Sequence, residues 1–63
     1  MDYQELLIKH KVSAYIIDDI FQDVVHVTVK GEENNCKAFI KDYDVIARRH
    51  EVRCKYKVEK VKP

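Results

Sequence analysis

The chain has 63 residues, 46% of them hydrophobic, with a single glycine, a single proline, no tryptophan and a formal net charge of +1. That balance is too apolar for wholesale disorder, and a chain this short buries only about 60% of the surface its unfolded form exposes, leaving little material for a walled substrate cleft. No apolar run approaches the roughly 20 residues of a membrane span and no basic-then-apolar signal pattern opens the chain, so the expectation is one soluble, cytoplasmic domain over 1–63 without a membrane partner.

Asp2-Tyr3-Gln4-Glu5 has the form of a capping box with aspartate as the N-cap. It predicts a short helix over about residues 3–10, with Tyr3, Leu6, Leu7 and His10 on one side. Val12 to Ile17 is apolar and rich in β-branched residues, the pattern of the most buried strand. After a connection over Asp18–Asp23, Val25, Val27 and Val29 alternate with His26, Thr28 and Lys30 in a second strand, Val24–Lys30. Gly31 breaks that strand, and Glu32 and Glu33 put negative charge where a helix start favours it.

Cys36, Phe39, Ile40, Tyr43 and Ile46 then recur at three- and four-residue spacing, the mark of an amphipathic helix reaching about residue 47, with Glu33 and Lys37 placed for an ion pair. No glycine or proline stops this helix. Arg48, Arg49 and His50 either close it, where cations complement the helix dipole, or open the final strand. From Glu51 to Val58 the alternation is unbroken: Val52, Cys54, Tyr56 and Val58 face one way and Arg53, Lys55 and Lys57 the other.

The α-β-β-α-β order specifies an α+β fold. The first two strands form an antiparallel hairpin, and the third runs parallel in direction to the second. Placing the apolar first strand at the centre gives a three-stranded, mainly antiparallel sheet of order 2-1-3 with the helices on one face. The opposite face carries His26, Thr28, Lys30, Arg53, Lys55 and Lys57, and Tyr15 joins them if Ala14 and Ile16 point inward.

Metal chemistry is not expected. The available ligands are Cys36, Cys54, His10, His26 and His50, but His50 and Cys54 sit about 13 Å apart along an extended strand. No C-x2-C or H-x3-H pair is present either. Both cysteines fall on apolar faces, where a thiol behaves as a small hydrophobe, and a reducing compartment would keep them unpaired. One glycine is too few for a phosphate-cradling loop. Asp18, Asp19 and Asp23 lack the alternating ligands, central glycine and distal glutamate of a calcium loop. No cofactor and no enzymatic activity follow from these residues.

Binding is the better expectation. Residues 48–63 hold seven cations against two carboxylates, a net of +5, while residues 1–47 hold five lysines against nine carboxylates, a net of −4. One candidate surface is basic: Arg53, Lys55 and Lys57, with Lys30, Arg48 and Arg49, for an anionic partner or nucleic acid. On a strand the first three project at intervals of about 6–7 Å, close to the phosphate spacing of a single strand. The other candidate is Ile20 and Phe21, framed by Asp18 and Asp19. These two either cap the core or stay exposed, as an apolar anchor with a polar rim does at an interface. The leading expectation is a protein–protein interaction module, a small regulator or inhibitor of accessory or phage type by analogy of size alone. Nucleic-acid binding is the alternative. A homodimer is a further option, with the second strand, poorer in charge, as the better edge for it.

Overall fold

The computed structural model describes residues 3–60, so the capping box at Asp2 lies outside the described residues. The elements are α1 (Tyr3–His10), β1 (Ser13–Asp19), β2 (Val24–Gly31), α2 (Glu33–Arg49) and β3 (Cys54–Lys60). The α-β-β-α-β order is as expected, in an α+β fold with a mixed sheet. No helix among the described residues is long and apolar enough to cross a membrane.

The strand order is β1-β2-β3, which corrects the expected order 2-1-3. β2 is central, antiparallel to β1 and parallel to β3, so the sheet is mixed and not mainly antiparallel as the order 2-1-3 implied. Ranking strands by hydrophobicity overlooked what the crossover requires. A helix that joins two parallel strands packs best when both lie side by side beneath it. With 17 residues, α2 is about 25 Å long; the eight residues of β2 span about 26 Å. The helix therefore returns the chain to the level where β2 began, and Cys54 pairs with Val25. The apolar run of β1 divides between the two faces at the sheet's edge, so Ile16 and Ile17 are both exposed and β1 is not the most buried strand that its composition suggested. Position in the sheet also corrects the expected dimer edge: β2 has a neighbour on each side.

Opposed pairs in the ladders share a face. Ala14, Val25, Val27, Val29, Cys54, Tyr56 and Val58 face the helices and meet Leu6 of α1 and Cys36 and Phe39 of α2 in one hydrophobic cluster. Aromatic rings extend it: Phe39 stacks on Tyr43 with centroids 5.6 Å apart, and Tyr3 and Tyr56 each meet Tyr43 edge-on. Val52, expected on this face, precedes the strand and is exposed, because β3 starts at Cys54 and not at Glu51.

Both helices end in the same way. The amides of Lys11 and Val12 bond the carbonyls of Ile8 and Leu7, and those of Glu51 and Val52 bond the carbonyls of Arg48 and Ala47. This is the Schellman pattern, in which the first residue past the cap adopts the left-handed conformation. Glycine usually fills that position; here Lys11 has φ 55° and Glu51 has φ 58°. Gly31 does not interrupt β2 but is its last residue, at φ +156°, where a Cβ would come within 3.1 Å of Val12 Cγ1.

Candidate functional site

The β1–β2 hairpin turns through Ile20, Phe21, Gln22 and Asp23, with Asp19 paired to Val24 at its base. Asp19 organises the turn. Its Oδ1 accepts from the backbone amides of Phe21 and Gln22, both at 3.1 Å, an Asx turn that replaces backbone bonding. Its Oδ2 lies 3.5 Å from His26 Nε2 on the neighbouring strand. Asp23 completes the reversal at φ 54°, a conformation that aspartate tolerates better than most residues. The apolar pair does not fold back onto the core. Ile20 is 80% exposed and Phe21 98% exposed. Asp18 is also exposed, so the pair stands in a carboxylate frame.

On the side of the sheet away from the helices, the ladders set out cross-strand rows. Tyr15, Thr28 and Lys57 form one row; Ile17, His26 and Lys55 form the next; Ser13, Lys30 and Glu59 form a third. Ala14 faces the core, so Tyr15 stands outward and is 67% exposed. Arg53 continues this side by strand parity, while its carbonyl accepts from the Val25 amide at 2.8 Å and extends the parallel ladder. Glu59 and Asp19 add carboxylates to the same face.

The basic residues named from the sequence do not form one patch. Arg48 and Arg49 close α2 and belong to the layer on the other side of the sheet. Arg48 Nε is held by Asp44 Oδ2 at 2.8 Å, and Asp44 Oδ1 accepts from the Tyr56 hydroxyl at 3.0 Å. Burial, and then that carboxylate, push the Tyr56 hydroxyl well above its ordinary range. Arg49 lines an open groove of about 260 Å³ between the helices, with Leu6, Lys9 and Asp42.

Sequence reasoning missed the tie between the helices on the rim of that groove. His10 Nε2 lies 2.8 Å from Asp42 Oδ2, and the hydrogen bond to His10 is the main reason the Asp42 carboxyl sits below its usual range. The two residues are 32 positions apart, and no local pattern pairs them. Cys36 is buried and unpaired, its thiol pushed up chiefly by burial and further by the Glu33 carboxylate. Among the described residues no three His, Cys, Asp or Glu side chains gather as metal ligands.

Comparison with protein-family models, curated proteins and solved structures finds no match to this chain. The functional reading therefore rests on the chemistry of these surfaces.

Proposed function

We propose that the protein is a small, non-enzymatic binding module that engages another protein through the tip of its β1–β2 hairpin. The observation behind this reading is the 98% exposure of Phe21 on a turn held from beneath by Asp19. An exposed aromatic has no part in stabilising the monomer. Presented on a hydrogen-bonded turn, it loses little conformational freedom on binding and so retains more of its burial energy. The rim of Asp18 and Asp19 favours a partner whose pocket is apolar at its centre and basic at its edge. A role as regulator or inhibitor is the form such a module would take. The absence of catalysis in this proposal fits a Cys36 thiol held protonated and a His10 ring engaged by Asp42.

The test compares wild type with Phe21→Ala as baits in affinity purification. The variant should melt like wild type, since surface changes away from structural features stay within about 0.5 kcal/mol. It should lose a wild-type partner by about 30-fold in affinity, the equivalent of about 2 kcal/mol at a hot spot. Equal recovery by the two baits removes the tip as the binding surface.

The outward placement of Tyr15 favours one second reading: single-stranded nucleic acid on the open face. Tyr15 supplies a stacking platform in the same row as Lys57, with Lys55, Arg53 and Lys30 available for phosphates. Arg53, Lys55 and Lys57 changed together to glutamine should then weaken binding of labelled single strands and flatten its dependence on salt. No anisotropy change with wild type at low salt rules this reading out.

A further inference from the structure

The two edges of the sheet differ in a way that neither binding surface uses. Among the described residues, β1 and β3 each pair on one side only. Exposed edges are normally guarded by lysines, prolines, bulges or a covering element, because their free N–H and C=O groups template further pairing. β3 is guarded, with Lys55, Lys57 and Lys60 along seven residues. β1 is not. It reads Ser13-Ala14-Tyr15-Ile16-Ile17 before its first charge, has no proline, and keeps an unbroken seven-pair register with β2. Tyr15 and Ile17 are 67% and 49% exposed on the open side, and Ile16 is 37% exposed on the helix side at the sheet margin.

We propose that the free edge of β1 pairs antiparallel with β1 of a second copy, about a two-fold axis at Ile16, joining two three-stranded sheets into one of six strands. Ile16 is the middle residue of Ser13–Asp19, so this register pairs the whole strand with itself. An antiparallel two-fold pairing keeps each residue opposite one of the same parity, and both helix layers fall on the same side of the joined sheet. Ile16 then meets Ile16 of the second copy, and Tyr15 and Ile17 meet each other twice. All three exposed apolar side chains find apolar partners at once.

The charges agree with this register. Asp18 and Asp19 end the strand and come opposite Ala14 and Ser13 of the second copy, beside the turn that carries Lys11, so each acidic end lies at a basic one. A pairing of β3 edges would instead bring rows of lysine together. The Tyr3 hydroxyl already donates to the Ala14 carbonyl at 3.2 Å, but a carbonyl has two lone pairs and this bond leaves the strand from Tyr15 onward uncovered.

The experiment is sedimentation equilibrium over micromolar to millimolar concentration, on wild type and on Ile16→Lys and Ile16→Glu. Wild type should reach twice its 7.5 kDa chain mass. Each variant places like charges across the axis and should weaken association by on the order of 100-fold or more. An equimolar mixture of the two variants should associate again, because lysine then faces glutamate. Wild type that stays monomeric at millimolar concentration overturns the proposal. So does association that survives in both variants, or two folded monomeric variants whose mixture fails to pair. Should either substitution prevent folding, amide exchange on wild type decides: protection must rise with concentration on β1, and a rise confined to β3 or the helices refutes the β1 interface.

Discussion

Replacing Lys11 and Glu51 with glycine should stabilise the protein, against the usual rule that glycine weakens a chain. Both residues adopt left-handed backbone, at φ 55° and 58°, where each closes a helix. An L-residue in that region carries about 1–2 kcal/mol of steric cost from Cβ against the following carbonyl. Glycine removes that cost but adds about 0.5–1 kcal/mol through the greater freedom of the unfolded chain. The net gain is about 0.5–1 kcal/mol per site. The two sites close different helices with separate hydrogen bonds, so the double variant should gain about 1–2 kcal/mol by additivity. In a domain of this size that raises the melting temperature by roughly 4–8 °C per kcal/mol. Thermal and urea unfolding followed by circular dichroism measures it. A double variant less stable than wild type would refute the assignment of strain, and a loss at one site alone would show that its side chain contributes more than its backbone costs.

Two further outcomes follow from the core and the helix tie. Phe39→Ala empties the centre of the ring cluster at a cost of about 3–5 kcal/mol, against a total stability of about 3–9 kcal/mol for a chain this long; the variant should lose from about a third to all of its stability, and cooperative melting close to wild type would contradict the packing described. Asp42 has a carboxyl held below its ordinary 3.8, so its contribution is present above that pH and is lost as pH falls below it through the lowered value. Asp42→Asn should therefore reduce the urea midpoint at pH 6 and narrow its gap to wild type at pH 3. An equal difference at both pH values would mean that the carboxylate charge is not what ties α1 to α2.

Much of this was legible because period-two alternation fixes faces whatever the strand order. Val25, Val27 and Val29 had to share a side with Cys54, Tyr56 and Val58, which sent Lys55, Lys57 and Thr28 to the other. Tyr15 joins that side only if Ala14 points inward, which parity alone leaves open because the run from Ala14 to Ile17 is apolar at every position. Strand order was not legible either, because Tyr15-Ile16-Ile17 has the composition of a central strand, and only the geometry of the crossover displaces it. The end of α1 at His10 was as expected, but that of α2, expected near residue 47 and found at Arg49, was blurred for a different reason. Glu51 occupies a position that a glycine would have announced, and a charged residue there leaves no signature. Ile20 and Phe21 suited a core cap and an exposed anchor equally until the Asp19 hydrogen bonds fixed the turn.

The distribution of tyrosines gives the protein a built-in optical reporter. It has four tyrosines and no tryptophan. Tyr3, Tyr43 and Tyr56 are held within the ring cluster, whereas Tyr15 alone faces solvent across the open side of the sheet. A soluble collisional quencher will therefore dim mainly one emitter. Any ligand laid over that face, whether a nucleic acid or a protein, will shield it without a dye being attached.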